Sequence, residues 1–382
     1  MSERDRDAPD QEAPGEYGEG RFIDPDVGFL GGEASEQKVP ANRDRVEGAV
    51  PHEVWGEMPS RDGGPRAEPT YYDRPVIKEP PWIWAVPAYF YTGGAAGAAA
   101  VLGAVAQVAD REDLRGLVQR CRWIAAAGTA AGTALLVADL GKPDRFLNML
   151  RVFRPSSPMN VGSWVLSAAS ILAAGAALLS DADGAVGAAG DAAALGAGAA
   201  GLPLAGYTAV LVSNTAVPVW QATRRSLPLL FMSSAAASAA SLLELTRLSS
   251  REEAVVHRFG VAGKAAELAC TALVEREAGV VERVGKPLHE GVSGALWRAS
   301  KGLTGASLVL SVVPGKSPWK RRVGALLGTA GAITLRFAVL HAGKASTRDP
   351  RATFEQQRAG RGGAEATGFA AVTGPGDERA TG

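Results

Sequence analysis

An all-α fold, a polytopic membrane helix bundle of about eight transmembrane helices with a disordered N-terminal tail, is what this sequence predicts. Three observations carry it. Residues 1–80 hold 19 acidic against 10 basic residues and 10 prolines, while the rest of the chain holds 30 basic against 21 acidic. From Pro81 onward the text turns to Ala, Gly, Leu and Val, in runs that reach the length of about 20 residues needed to cross a hydrocarbon core. Phe and Trp gather near the ends of those runs, where an aromatic belt sits. The formal net charge of +0 is therefore an average over two unlike parts.

Taken in order, residues 1–80 are a polar tail with too few branched apolar residues to offset the entropy of ordering, and are expected to be largely disordered. Residues 81–345 form the membrane domain, and residues 346–382 a polar C-terminal tail. The first span is read over Trp82–Val108 and the second over Trp123–Leu140, with a lead-in from Leu117. Val161–Leu179, Leu195–Trp220 and Leu227–Leu243 follow with few or no charges, and Val323–Leu340 contains only Arg336. Glu252–Glu275 is the least apolar, carrying His257, Arg258, Lys264 and Glu267. It is expected to span with its polar side turned inward, because Lys264 and Glu267 stand three apart and share a face. Residues 291–314, with an apolar core over Leu303–Val313, complete the count of about eight. Small-xxx-small pairs at Gly93/Gly97, Gly128/Gly132 and Gly324/Gly328 offer close helix contacts, and the Ala/Gly tract from Ala185 to Gly201 carries no legible chemistry. Lys and Arg near the helix ends lean to the N-terminal side, and residues 1–30 lack an apolar signal core, which points to cytoplasmic termini in the cell inner membrane.

Two groups of residues stand out. Asp139-Leu-Gly-Lys-Pro-Asp-Arg-Phe146, followed by Ser157-Pro-Met-Asn-Val-Gly-Ser-Trp164, is a polar loop between two spans. A carboxylate ending one helix, basic residues and a Trp opening the next suit a place where a lipid-soluble polar headgroup is held at the interface; the alternative is a capped loop that anchors the helices. The second group, Glu244, Lys264, Glu267 and Arg336, lies in apolar context, where an unpaired charge costs several kcal/mol. These four are expected to face inward, as salt bridges or as the lining of a proton path.

The two cysteines, Cys121 and Cys270, cannot build an iron–sulfur or zinc site, and His257 with His341 is the one pairing open to a haem. No haem or metal of its own is expected. Gly93–Gly97 lies inside an apolar run with no strand before it, so neither nucleotide nor nucleic acid is expected as a partner. A transporter of ions or small molecules, with the buried charges as coupling sites, and a non-redox membrane anchor are the other classes open to such a chain.

The loop motifs just quoted, then Gly206-Tyr-Thr-Ala-Val-Leu-Val-Ser-Asn-Thr-Ala-Val-Pro-Val-Trp220 and Leu227-Pro-Leu-Leu-Phe231, resemble the NrfD/polysulfide reductase membrane-subunit family. Tyr71-Tyr-Asp-Arg-Pro-Val-Ile-Lys-Glu-Pro80 and Ala342-Gly-Lys-Ala-Ser-Thr-Arg-Asp-Pro350 extend the resemblance over roughly residues 70–355, in order. It implies an integral membrane subunit of a respiratory oxidoreductase complex that binds a quinone or quinol, menaquinone or ubiquinone. The implied partners are a four-cluster iron–sulfur ferredoxin-like subunit and a molybdopterin oxidoreductase or multihaem cytochrome. On this resemblance Tyr207 is the first choice for a headgroup hydrogen bond and Asp139 for the proton acceptor, with Arg145 as its charge partner. Tyr89, Tyr91, Trp164, Asn214 and Trp220 complete the expected quinone site. The chain departs from the family pattern at Lys142, at Gln221, and in a first helix offering Tyr89, Tyr91 and Thr92 where some members place Asn and His.

Overall fold

The computed structural model describes residues 22–23, 30–31, 76–140, 142–315 and 317–359. The reading of residues 1–80 as a largely disordered tail falls, up to residue 75, almost wholly outside that set. In the N-terminal unit, Met1–Glu68, the described part is a two-residue antiparallel ladder, β1 (Phe22–Ile23) with β2 (Leu30–Gly31), Phe22 opposite Gly31.

The second unit, Pro69–Gly382, is helical. Its helices are α1 (Ala85–Ala109), α2 (Arg115–Asp139), α3 (Pro158–Leu178), α4 (Gly184–Ser213), the short α5 (Pro218–Ala222), α6 (Ser226–Glu244), α7 (Ser250–Ala278), the single turn α8 (Glu282–Gly285), α9 (Gly291–Val312), α10 (Pro318–Thr347) and α11 (Pro350–Arg358). Eight of these run for 19 to 30 residues, and six of the eight, α1 to α4, α6 and α10, are apolar enough to cross a membrane. The protein is a multi-pass membrane helix bundle. The remaining two have the length of spans and are more polar, α7 carrying Lys264 and Glu267 and α9 carrying Arg298 and Lys301. Their connections alternate, so α1, α3, α6 and α9 begin on one face and α2, α4, α7 and α10 end there.

Local chemistry sets the ends. Proline stands in the first turn of α3, α5, α10 and α11, where its missing N–H costs nothing. Ser249 caps α7 reciprocally with Glu252, a capping box. The span read over Leu195–Trp220 divides differently: α4 begins at Gly184, takes in the whole Ala/Gly tract, and ends at Ser213. Alanine is the best helix former, so that tract propagates a helix without branched residues. Pro218 then opens a separate helix, which puts Trp220 on α5. The first turns of the polar C-terminal tail fold as α11, with Ala352 and Gln356 buried.

Two groups of four helices compose the bundle, α1 to α4 and then α6, α7, α9 and α10, joined where α1 and α4 pack on α6 and α1 on α10. Small residues bring the first group together. A Cβ on Gly97 would lie 2.5 Å from the carbonyl oxygen of Gly201, so only hydrogen at both positions permits that α1–α4 contact. Cross-ties at the rim reinforce it: Asp191, the one charge in the Ala/Gly tract, accepts from buried Arg122 at 2.7 Å and pairs with Arg111. That tract therefore does carry chemistry, a clamp from α2 to α4.

Candidate functional site

The expected site residues divide between two places. The first lies at the face where α1 begins. Asp139 is the last residue of α2, and its Oδ1 accepts from the backbone N–H of Ile83 at 3.2 Å, just before α1. That is the place where a helix leaves N–H groups unpaired and welcomes negative charge. Arg145 lies in a short 3₁₀ helix, Pro143–Leu150, and its side chain is outside the described residues, so its pairing with Asp139 is too. Asn160 closes this loop: its Nδ2 donates to the carbonyls of Met149 and Val152, and its Oδ1 accepts from the N–H of Arg154. Sequence reasoning quoted Asn160 within a motif without giving it that role; an Asn two residues after an N1 proline was the available signal.

Tyr207 comes from α4 and crosses to α3, where its hydroxyl donates to the carbonyl of Pro158 at 2.5 Å. Its ring occupies the space above Gly162, where any Cβ would overlap it. Tyr89, on α1, is buried and close enough to Tyr207 for the two phenols to interact electrostatically. The ring of Tyr89 also covers Gly93 and Gly132. Tyr89 with Gly132 and Tyr207 with Gly162 thus lie inside the first helix group, about 6–11 Å below the face at 1.5 Å per residue.

The tryptophans serve other ends. Trp164 is 39% exposed on α3 and meets Phe153 edge-on, the placement of an interfacial anchor. Trp220 is buried, donates from Nε1 to the carbonyl of Val339 at 2.9 Å, and stacks on Trp82 with ring centroids 5.6 Å apart. Asn214 ends α4, donates to the carbonyl of Val210, and lines an open cleft of about 480 Å³ with Ser213, Gln221, Arg224 and Arg225. The cleft lies where α4 gives way to α6, and Asn214 belongs to it.

The second place is the interior of the other helix group. Lys264, with no exposed surface, is 3.5 Å from the Glu244 carboxylate and donates to Ser311 at 3.1 Å. Its partner is therefore on α6, although it shares a face of α7 with Glu267. Glu267 accepts from Thr304 at 2.9 Å through Oε1, while Ser234 lies beside the carboxylate without closing a bond to it. Arg336 donates to the carbonyl of Phe231 at 3.1 Å and sits 3.8 Å over that residue's ring. A desolvated contact of this kind is worth about 2 kcal/mol. Tyr91 belongs here as well: its hydroxyl lies beside Thr329 and within electrostatic reach of Arg336, away from the Tyr89 side.

Around these charges runs a hydroxyl lining that sequence reasoning missed. On α9, Ser293, Ser300, Thr304 and Ser307 are buried, with Ser311 continuing the same stripe; on α6, Ser234, Ser238 and Ser241 are. The signal was legible as serines and threonines at helical spacing on one face of α9. Several of the polar atoms here have no protein partner: the hydroxyls of Tyr91, Ser234, Ser241 and Thr329, Oε2 of Glu267, and Nε and Nη1 of Arg336. Buried polar atoms without partners are where water enters a protein interior.

Residues 76–346 match the family described as polysulphide reductase, NrfD. The chain belongs to the NrfD family. Among curated proteins none matches it. As a member it is a membrane subunit of the kind that serves oxidoreductase complexes, and the match begins at Val76 and ends at Ser346, enclosing all eight long helices except the last residue of α10.

Proposed function

We propose that this NrfD-family protein is the quinone- or quinol-reactive membrane subunit of a respiratory oxidoreductase complex in the cell inner membrane, exchanging electrons with an iron–sulfur partner. The observation that carries the reading is that two phenols, Tyr89 of α1 over Gly132 and Tyr207 of α4 over Gly162, lie inside α1–α4 just below the face that Asp139 borders. A headgroup with two ring oxygens needs hydrogen-bond donors in an apolar, membrane-accessible place, and two phenols among glycine-lined helices supply that. Tyr89 and Tyr207 are the residues that would hold such a ring.

The ring itself supplies the redox chemistry, so the protein need only bind, orient and move protons. Tyr207, held by Pro158 in the space that Gly162 leaves, turns its hydroxyl from that carbonyl to a headgroup oxygen. Asp139, at the water boundary, takes or returns the proton. In the second helix group, Glu267, Lys264 and Glu244, with Arg336 setting the field and hydroxyls between them, form a proton path. Glu267 and Arg336 sit about 16 Å below the face, Lys264 about 21 Å and Glu244 about 27 Å, at 1.5 Å per residue. The four-cluster iron–sulfur subunit docks on the face where α1 begins, because the motif loops and their basic residues are there, and it joins the chain to a molybdopterin oxidoreductase or multihaem cytochrome.

The test is quinol-dependent electron transfer per assembled complex in Asp139→Asn and Tyr207→Phe, beside an assay of the soluble partner with an artificial donor. We expect about a hundredfold to ten-thousandfold loss in each variant, the range for a missing proton-transfer group, with assembly and artificial-donor activity intact. Wild-type quinone turnover in both would remove the site from Asp139 and Tyr207.

A further inference from the structure

Lys264 has no exposed surface, and it stands between two carboxylates carried by two helices. At 1.5 Å per residue it lies about 21 Å below the face, with Glu267 at about 16 Å and Glu244 at about 27 Å. Its ammonium is 3.5 Å from Glu244 and donates to Ser311 at 3.1 Å. A second carboxylate is in reach. Glu267 follows three residues later on the same face of α7, where Cβ atoms lie about 5–6 Å apart, and helical side chains lean toward the N-terminus, so Glu267 leans over the turn that carries Lys264. Oε1 of Glu267 accepts from Thr304, while Oε2 has no hydrogen-bond partner among the described residues. The stem of Lys264 is bordered by Gly328 of α10: a Cβ there would lie 3.5 Å from Cε of Lys264, 2.5 Å from Oγ of Ser241 and 3.0 Å from Oγ of Ser307. Hydrogen at position 328 thus keeps hydroxyls against the lysine, and the Ser241 hydroxyl, like that of Ser234 beside Glu267, is itself unpartnered among the described residues.

We infer that Lys264 exchanges partners between Glu244 and Glu267, one proton passing between the two carboxyl groups as the ammonium passes the other way. With the proton on Glu267, Lys264 rests on Glu244, its position in this structure; with the proton on Glu244, Lys264 rests on Oε2 of Glu267. The three groups carry the same total charge in both arrangements, so neither leaves an unpaired charge in the membrane interior, where that would be costly. Arg336 near Glu267, and His257 and Arg321 near Glu244, set the field at the two ends. Ser241 and Ser234, with water at their unpartnered hydroxyls, stand along the stretch that the proton crosses. The exchange rests on the proton-path reading for its purpose: a lysine that leaves one carboxylate only as the other ionises lets a proton pass without a continuous open channel.

The test uses the full chain with its native partners, in Glu244→Gln and Glu267→Gln, alone and together. A cryo-electron microscopy map of the Glu244→Gln complex should show Nζ of Lys264 moved to hydrogen-bond distance of Oε2 of Glu267. Thermal midpoints should fall little in either single variant, because the lysine keeps one carboxylate. In the double variant, which strands the lysine, the fall should exceed the two single falls together. A fixed Lys264–Glu244 pair predicts an unmoved lysine and additive falls, and either result overturns the exchange; the map decides alone if the double variant does not insert. Proton uptake per assembled complex separates the exchange from the reading it rests on. An unmoved Lys264 with lowered uptake in both single variants overturns the exchange and leaves the path, whereas a relocated Lys264 with wild-type uptake in both overturns the path and leaves the exchange standing.

Discussion

Where α1 crosses α4, the two backbones touch directly, and Gly97 faces Gly201 at a distance no side chain tolerates. Where α7 crosses α9 and α6, an ammonium group meets a carboxylate and a serine, and hydroxyls fill the rest of the contact. Both regions are buried, and both lie in lipid, where hydrophobicity gives helices no reason to associate. The first group associates by close dry packing. The second associates through polar contacts that would be costly to leave unmade in hydrocarbon. On the function proposed above, the difference separates two tasks: a closely packed group that would hold the headgroup, and a group whose charges lie among many unpartnered oxygens and nitrogens, where water enters.

The comparison can be broken at several strengths. Lys264→Met should have the largest effect, because it strands the Glu244 carboxylate; losing one member of a buried pair costs about 3–5 kcal/mol. Adding Glu244→Gln should recover most of it, read as the thermal midpoint and yield of the detergent-solubilised protein. Equal losses in the single and double variants would mean that the two groups do not stabilise each other. Gly97→Val should come next, at about 1–3 kcal/mol, because the new Cβ meets the Gly201 carbonyl and forces α1 from α4. A smaller loss, about 0.6 kcal/mol and at most about 1.7, is expected for Ser307→Ala, whose hydroxyl donates to the Gly324 carbonyl at 2.6 Å. A Gly97→Val variant as stable as the wild type would remove the contrast between the groups. At the small end, removing residues 1–65 should leave assembly and quinone-linked turnover unchanged, since Glu79 with Arg348 and Trp82 with Trp220 tie the segment before α1 to the bundle without them.

How much of this was legible in the sequence follows from range. The spans were readable because hydropathy over about 20 residues is a local property. The inward turn of α7 was readable from Lys264 and Glu267 alone, and both are buried. Partners were not readable, since they are matters of which helices touch: Lys264 meets Glu244 on α6, and Arg336 meets the Phe231 ring. Tyr89 and Tyr91 stand two apart in the first helix and so point to different sides, one toward Tyr207 and one toward Arg336. Grouping them by proximity in sequence placed Tyr91 with the headgroup. The end of α4 was blurred because Val, Pro and Trp after Asn214 keep hydropathy high through a break that only Pro218 marks.

The central claim is the division of labour, a quinone headgroup in the dry group and protons through the wet one. It is tested most directly by measuring quinol-driven electron transfer and proton uptake together, per assembled complex, in Tyr207→Phe and Glu267→Gln. Tyr207→Phe should weaken quinone binding and electron transfer from the headgroup side, because its hydroxyl is the donor on α4. Glu267→Gln keeps the shape and the Thr304 contact while removing the titratable group, so quinone binding should stay at the wild-type level while proton uptake falls and turnover slows with it. Wild-type proton uptake in Glu267→Gln, or weakened quinone binding in that variant with none in Tyr207→Phe, would contradict the division.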